Sequence, residues 1–177
     1  MKYLLYICIS LFAISSVQMT AQEKAPLDIL AFSKTEGYRH GAIPQSLVAL
    51  GEMGEQNNWK VRATEDPLMI SDEVLSHIDV VVFLHTTGNI LGEAQQKALK
   101  KFVMKGGGLV TLHTGTITEN DWPWFVDAVG GIFVGHPPSQ EGKMGIEDRD
   151  HPATKHFSDS TWTTKDEWYS FDRNPRK

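Results

Sequence analysis

Three histidines each follow a short apolar stretch of the sequence, and each could supply an acid, a base or a metal ligand. His40 lies in the loop after the run LDILAFS, and His85 directly follows the run VVVFL. His113 stands at the turn after the segment GGGLVTL. Imidazole changes its protonation state near neutral pH and also binds divalent metals, so a cluster of these side chains would form an acid/base site or a metal site.

A fourth histidine and two neighbouring acidic residues could join this cluster. His136 lies in the segment GHPP, and Asp166 and Glu167 precede Trp168 in the segment TKDEWYSF. A carboxylate beside aromatic rings suits carbohydrate binding, or general acid/base catalysis with a raised pKa. The same segment is equally consistent with a solvated turn followed by two aromatic residues of the core.

Any one of these histidines, taken alone, would be explained as a residue that caps a turn by hydrogen bonding. No pair in the chain has the spacing of a zinc motif such as H-E-x-x-H. The remaining three, His77, His151 and His156, are interpreted as structural, exposed or loop residues. For the group of four, the convergence of separate loops favours a functional site.

The elements that would position these side chains alternate along the chain. Apolar runs predict strands at residues 27–33, 59–64, 80–84 and 109–113. Helices are predicted from Pro44, after the N-cap residue Ser71, and over residues 93–105. This order predicts an α/β fold, with a parallel sheet and helices on both faces. The loops that carry His40, His85 and His113 then meet at the carboxyl edge of the sheet, where such folds bind ligands.

Beyond residue 116 the pattern is weaker but still belongs to a single domain. The segment DWPWFVDAVGGIF predicts a short helix and an extended piece, and further strands are predicted at residues 143–147 and in TWTTKDEWYSF. The aromatic cluster of Trp122, Trp124 and Phe125 is interpreted as core rather than as a platform for sugar stacking.

The first 21 residues have the composition of a secretory signal peptide. Lys2 precedes an apolar run from Tyr3 to Val17, and Ala21 fits the cleavage position. We therefore predict a signal peptide at residues 1–21 and a mature domain at 22–177, exported to the periplasm or the extracellular space. The alternative is a membrane anchor, but the run is shorter than the roughly 20 residues of a membrane span, so no span is expected after cleavage.

Composition excludes several other function classes. Cys8 is the only cysteine and would leave with the signal peptide, so the mature chain has no thiol nucleophile and no disulfide, and any metal site must use His, Asp or Glu. The net charge is −5, from 17 basic and 22 acidic residues without a basic run, which argues against nucleic acid as a partner. The sequence gives no oligomeric state.

The turn at His113 resembles a known catalytic turn. Residues 111–115, TLHTG, are similar to the strand–turn–helix elbow G-x-C-x-G of class I glutamine amidotransferases, with His113 in the place of the nucleophilic cysteine. Imidazole can act as a base, a ligand or a hydrogen-bond donor, but it is poorly suited to carry a stable covalent acyl intermediate. The resemblance therefore implies that this chain has the elbow turn but does not carry out amidotransferase chemistry.

Ordered motifs from about Leu27 onward resemble the ThuA-like (trehalose utilisation) family. They include AFSKTEGYRHGAIP, DVVVFLHTTGNIL, GGGLVTLH, DWPWF, GHPP, EDRDHPAT and DEWYSFDRNPR. The resemblance implies a class I glutamine amidotransferase-like fold, a flavodoxin-like three-layer sandwich, without the catalytic cysteine. It also implies a role in carbohydrate use, on glycosides or on 3-keto-glycosides of the trehalose type.

Two departures from the family pattern bear on function. The turn after the elbow reads HTGTIT where many relatives read like HAAADT, so a familiar acidic residue is missing between Leu112 and Thr118. Relatives also continue through further strands beyond the segment NPR, so the resemblance implies a domain that is incomplete at its C-terminal end.

The resulting hypothesis is an exported enzyme that hydrolyses, eliminates or isomerises a glycoside or keto-glycoside. His113 and Glu167 are the candidate catalytic residues. The candidate substrate-binding residues are Arg39, His40, His85, Thr86, His136 and Trp168. A divalent metal, if one is bound, would be held by ligands from among His40, His85, His113 and His136. The alternatives are a non-catalytic sugar-binding module and an inactive, truncated member of the family.

Overall fold

The computed structural model describes residues 25–174 and Arg176. Its strands are β1 (Leu27–Phe32), β2 (Trp59–Thr64), β3 (Val80–Leu84), β4 (Gly108–Leu112), β5 (Phe133–Gly135), β6 (Gln140–Gly145), β7 (Thr161–Asp166) and β8 (Ser170–Phe171). Its α-helices are α1 (Ile43–Asn57), α2 (Asp72–Leu75), α3 (Glu93–Met104) and α4 (Pro123–Val129). Two 3-10 turns cover Pro67–Met69 and His113–Ile117.

The first four strands form one parallel sheet in the order β2-β1-β3-β4. The register pairs Leu30 of β1 with Val81 of β3, and Val82 of β3 with Val110 of β4. Strand β1 therefore lies between β2 and β3, and the chain crosses the sheet through helices, as parallel strands require. This order is the flavodoxin-like arrangement of a doubly wound sheet.

Each face of the sheet packs against helix. On one face, Ile29, Val82 and Leu84 form a buried cluster with Ile43 of α1. On the other face, a larger cluster combines side chains of β1 and β3 with α2, α3 and α4, and includes Leu30, Phe32, Val81, Phe83, Leu99 and Phe125. The predicted α/β fold with helices on both faces is thus confirmed. Trp122 and Trp124 pack against the second cluster, which agrees with their interpretation as core residues.

The apolar run of β4 is typical of a central strand, but within residues 25–174 β4 forms the edge of the parallel sheet. Val110 and Leu112 are 42% and 38% exposed. Both residues pair with residues on the α1 face, but α1 packs mainly against β2 and leaves β4 uncovered on that side. A short apolar run does not distinguish an edge strand from a central one, which explains the difference.

The chain after α4 forms two antiparallel strand pairs, β5 with β8 and β6 with β7. The strand predicted at residues 143–147 begins earlier, at Gln140, and ends at Gly145. The segment TWTTKDEWYSF contains β7 and β8, separated by a turn that carries Glu167 and Trp168. These pairs place that turn beside the carboxyl edge of the parallel sheet, as the contacts below show.

The predicted signal peptide, residues 1–21, lies outside the described residues, so the boundary at Ala21 stays a prediction. Within residues 25–174, none of the helices has the length and apolar character needed to cross a membrane.

Candidate functional site

The three histidines that follow β1, β3 and β4 meet at the carboxyl edge of the sheet, and we call them the histidine cluster. The ring centroid of His40 is 4.4 Å from that of His113 and 5.6 Å from that of His85. The rings of His85 and His113 are 5.7 Å apart. The structure therefore brings together the three loops that the sequence predicted to converge.

Two residues of the histidine cluster have unusual backbone conformations. His85 has φ 53° and His113 has φ 55°, both in the left-handed region that residues other than glycine rarely adopt. Each residue directly follows its strand, so the chain turns sharply there and directs the imidazole away from the strand end. Such strained positions occur preferentially at functional sites. The geometry at His113 agrees with the elbow that the sequence resembles.

Glu167 and two further side chains extend the histidine cluster. Glu167 Oε2 lies 3.9 Å from His113 Nε2 and 3.7 Å from His136 Nε2. The Tyr169 hydroxyl lies 2.9 Å from His113 Nε2. The carbonyl of Pro137 accepts a hydrogen bond from His136 Nδ1 at 2.8 Å, so His136 Nε2 carries a proton only in the imidazolium form, which would pair with Glu167.

A cavity of about 580 Å³ opens beside these groups. Its ring-bearing lining residues are Tyr38, His40, Phe133, His136 and Tyr169. Glu167, Asn89, Asn120 and Asp121 add polar groups to the lining. The volume is typical of sites for small molecules, and a few polar groups on aromatic walls are the usual composition of such sites. His85 and His113 are not among the lining residues, but each contacts a residue that is, His40 and Tyr169 respectively.

The surroundings shift the pKa values of three groups in this region. Burial lowers the pKa of His113 below its ordinary 6.5, and charge on His40 lowers it further, while Glu167 opposes the shift. Burial also lowers the pKa of His85, followed by the charges of His113 and His40. Burial raises the pKa of Tyr169 to about 12, and the nearby Glu167 adds to the shift. At neutral pH the two imidazoles and the phenol are therefore uncharged.

The contacts of His85 explain why its charged form is disfavoured. His85 Nε2 lies 2.9 Å from the Ser46 hydroxyl on α1. Its Nδ1 is buried and has no hydrogen-bond partner in the described part of the chain. Protonation would place a charge on this partly buried ring without a carboxylate to compensate it.

Replacing His40 with glutamine is expected to raise the pKa values of both His85 and His113 toward 6.5, because the substitution removes a nearby positive charge. Proton NMR titration of the imidazole resonances measures both values. The exposed His77→Gln substitution is the matched control and should leave them unchanged. Unchanged pKa values in His40→Gln would show that charge on His40 contributes to neither shift. Because both folded-state pKa values lie below the unfolded value, their contribution to stability is present above about pH 6.5 and is lost as the pH falls through the folded-state values.

Four of the predicted substrate-binding residues lie outside the cavity lining: His85, whose contacts are described above, and Arg39, Thr86 and Trp168. Arg39 forms an exposed ion pair with Glu65 at 2.6 Å. Thr86 is 0% exposed, and its hydroxyl lies 2.8 Å from that of Thr118, so it supports the loop from below. Trp168 donates a hydrogen bond to the carbonyl of Gln140 at 2.8 Å and packs over strand β6. Of the predicted residues, His40, His136 and Glu167 line the cavity itself.

Within the described residues, the four candidate histidines are not arranged as a metal-binding site. Across residues 25–174 no set of three or more His, Cys, Asp or Glu side chains has the arrangement of a metal site. The rings of the histidine cluster meet in edge-on and tilted contacts, and His136 approaches Glu167 instead. This arrangement gives no support to a divalent metal held jointly by His40, His85, His113 and His136.

Sequence analysis missed several residues that build the site. Tyr169 was visible only as an aromatic residue beside Glu167, and nothing in its spacing indicates a bond to a residue 56 positions away. Asn89 and Asp121 form a 2.6 Å hydrogen bond between two loops that both reach the cavity. Glu119 is buried and accepts hydrogen bonds from Ile90 N and Leu91 N at 2.7 and 2.8 Å. It stands directly after the segment in which the sequence lacks the acidic residue of its relatives.

Two crystal structures of ThuA-like proteins are similar to this chain. The structure from Bacteroides uniformis ATCC 8492 has a TM-score of 0.74 and 24% identity, over 88% of this chain and 65% of its own. The structure from Parabacteroides merdae ATCC 43184 has a TM-score of 0.63 and 19% identity, over 85% of this chain and 64% of its own. These likenesses show the fold, which is class I glutamine amidotransferase-like as the sequence predicted. The chain spans about 65% of the length of the first and 64% of the second.

A comparison with curated proteins finds no match. The family comparison, by contrast, covers nearly the whole described region. Residues 28–177 match the ThuA family, described as trehalose utilisation, and the chain therefore belongs to that family.

Proposed function

We propose that this protein acts on a glycoside or a keto-glycoside by acid/base chemistry in the cavity at the carboxyl edge of the sheet. One observation carries the proposal: Glu167 lies 3.9 Å from His113 and 3.7 Å from His136 at the wall of a cavity of about 580 Å³. A carboxylate, a neutral imidazole and a second imidazole are the groups that proton transfer at a sugar requires. Trehalose utilisation, the description of the family, supports a carbohydrate substrate.

The composition of the cavity suits a sugar ring. The rings of Tyr38, Phe133 and Tyr169 offer flat faces against which the C–H groups of a pyranose could pack. Asn89 and Asp121 supply amide and carboxylate groups that could bind hydroxyls. A combination of aromatic faces and polar groups fits a polyhydroxylated ring better than a purely apolar ligand.

The proposed reaction is elimination from a keto-glycoside. A ketone on the ring acidifies the neighbouring C–H bond, so that one base can remove this proton and leave an enolate. The enolate then expels the glycosidic oxygen from the adjacent carbon, and an acid protonates the leaving oxygen. His113 with its partners provides the base, and the imidazolium of His136, paired with the Glu167 carboxylate, provides the acid. Hydrolysis by two opposed carboxylates is less favoured, because Asp166 and Glu167 are adjacent and Asp166 Oδ1 accepts a 2.8 Å hydrogen bond from the Glu167 backbone N–H instead of facing Glu167 across the cavity.

The test is incubation of the protein with a 3-keto disaccharide of the trehalose type and, separately, with the unoxidised disaccharide. We expect release of monosaccharide from the keto-sugar, followed by NMR. Glu167→Gln should lower the rate about 100-fold, because the amide keeps the shape and loses the negative charge that stabilises the neighbouring imidazolium groups. The matched control is Glu141→Gln, an exposed residue on strand β6, for which we expect a change within about twofold. A rate equal to that without protein, or an unaffected Glu167→Gln variant, would refute the proposal.

A sugar-binding protein without catalysis is the second candidate. The observation in its favour is Tyr38, a cavity-lining residue that is 73% exposed and whose ring packs edge-on against His40, with 4.9 Å between the ring centroids. Exposed aromatic faces of this kind bind sugars without any reaction. Calorimetric binding of the intact disaccharides without turnover of either would favour this candidate.

We also propose that the protein is exported, on the basis of the signal-peptide composition of residues 1–21. Sequencing the N terminus of the protein recovered from cells tests cleavage after Ala21.

A further inference from the structure

Tyr169 stands between the cavity and His113. Its ring lines the cavity, whereas His113 is not among the lining residues. Its hydroxyl lies 2.9 Å from His113 Nε2, and the two ring centroids are 4.8 Å apart. A ligand in the cavity would therefore meet the phenol before it met the imidazole.

The fold holds the Tyr169 ring in this position from several sides. Phe133 contacts it at 4.3 Å between centroids, and His136 stacks on it at 5.7 Å. Tyr169 immediately precedes β8, which pairs with β5 through Phe133 and Phe171. Because two paired strands, the tilted Phe133 ring and the stacked His136 ring fix its orientation, the hydroxyl is directed at His113 before any ligand binds.

We propose that Tyr169 is the catalytic residue that exchanges a proton with the ligand, and that His113 acts through it as a proton acceptor. The inference rests on the proposed function, since it assigns the base of the same reaction. It adds a residue to the site and changes the role of His113 from a group that touches the substrate to one that controls the phenol.

The proton balance of this step is complete with the groups present. In the tautomer protonated at Nδ1, His113 Nε2 accepts the phenolic proton as the Tyr169 oxygen takes the proton from the carbon beside the ketone. The C–H electron pair becomes the enolate, Tyr169 ends as a neutral phenol, and His113 ends as an imidazolium. The enolate then expels the glycosidic oxygen, which takes its proton from the His136 imidazolium, and no oxidant or reductant is needed.

The negative charge of Glu167 supports proton transfer from Tyr169 to His113. Glu167 Oε2 lies 3.9 Å from His113 Nε2, where a carboxylate stabilises an imidazolium as it forms. The pKa of Tyr169, raised to about 12, keeps the phenol protonated at rest. The lowered pKa of His113 keeps Nε2 free to accept. Both residues are therefore in the required state before the ligand arrives.

The test measures exchange of the proton beside the ketone in a 3-keto monosaccharide dissolved in D₂O, which reports proton removal without the need for a leaving group. We expect Tyr169→Phe to slow exchange by at least about 100-fold, and His113→Gln to do the same. In the double variant the loss should not exceed the larger single loss, because residues that act as a unit are not additive. Exchange within about threefold of wild type in Tyr169→Phe, or losses that multiply in the double variant, would overturn the inference.

A second readout separates this inference from the proposed function. In ¹⁵N NMR, Tyr169→Phe should shift the His113 Nε2 resonance, because it removes the hydroxyl bonded to that atom. Tyr38→Phe removes a hydroxyl from the same cavity but contacts His40, so it should leave the resonance in place. An unmoved resonance in Tyr169→Phe overturns the inference even if the protein is active. If the resonance moves but the protein does not catalyse proton exchange in the keto-sugar, the result supports the hydrogen-bonded pair of Tyr169 and His113. It then refutes only the proposed sugar chemistry.

Discussion

Replacement of His113 by glutamine is expected to lower kcat/KM for a keto-glycoside about 1000-fold, within the range for loss of a general acid/base group. Glutamine is similar in length and can still accept a hydrogen bond from the Tyr169 hydroxyl, which lies 2.9 Å from Nε2 in the native protein. It cannot accept a proton, so proton removal from the substrate loses its final acceptor. KM should change little, because His113 does not line the cavity.

A pH profile distinguishes this role from a structural one. The wild-type rate should fall in acid through a pKa below 6.5, because protonated His113 can no longer accept and burial lowers its pKa. His113→Gln should lack this acid limb. His77→Gln replaces an exposed histidine between α2 and β3; it is the control and should keep both the rate and the acid limb. A profile of unchanged shape in His113→Gln would assign the acid limb to another group and refute the proposed role.

The convergence of the histidine cluster could be predicted because it depends on strand order rather than on side-chain detail. Apolar runs at residues 80–84 and 109–112 identify strands, and parallel strands share one carboxyl edge. His85 and His113 stand one residue beyond those strand ends, so their meeting follows from topology. The left-handed φ of each could not be read from the sequence, since histidine is not a residue that marks such a turn.

The far wall of the cavity could not be predicted, because it is built by short antiparallel strands with weak patterns. Strands β5 and β8 have 3 and 2 residues, too few for a period of two to be recognised. Their pairing decides where Tyr169 and His136 lie relative to His113. Trp168 and Tyr169 are adjacent in the sequence, yet one packs over β6 and the other lines the cavity. Alternation along an extended chain separates neighbours in this way, but only a known register says which residue faces the site.

The two loops beneath the cavity are joined by backbone and side-chain bonds that have no sequence signature. Gly88 N donates to the carbonyl of Ile117 at 3.0 Å, and Glu119 N donates to the carbonyl of Gly88 at 3.1 Å. The Thr86 and Thr118 hydroxyls lie 2.8 Å apart in the buried layer below. These bonds connect the loop after β3 to the loop after β4. The position of His113 relative to the cavity therefore depends on how firmly the two loops are held together.

Glu119→Ala is expected to lower the free energy of unfolding by about 3–5 kcal/mol, because Glu119 is the centre of this loop connection. Glu119 is 1% exposed. Its Oε1 accepts from Ile90 N at 2.7 Å and Leu91 N at 2.8 Å, and its Oε2 accepts from Gln96 at 2.7 Å. Alanine leaves two buried backbone N–H groups without an acceptor and opens a void beside them. The loss is a large share of the stability of about 5–15 kcal/mol that domains of this size have.

Chemical denaturation of the purified protein near pH 7 measures this loss, and two further variants define its origin. Glu119→Gln keeps one oxygen for Ile90 N and Leu91 N and can pair with a reoriented Gln96 amide, so it should cost only about 1–2 kcal/mol. Glu55→Ala removes an exposed carboxylate on α1 and should stay within about 0.5 kcal/mol. If Glu119→Ala cost no more than Glu55→Ala, water would satisfy the two N–H groups equally well, and the loops would be held by their backbone bonds alone. A large loss of unfolding free energy in Glu119→Ala, with a small loss in Glu119→Gln, would instead show that the Glu119 side chain holds the two loops together. The same variants would then report how far the position of His113 depends on this connection between the loops.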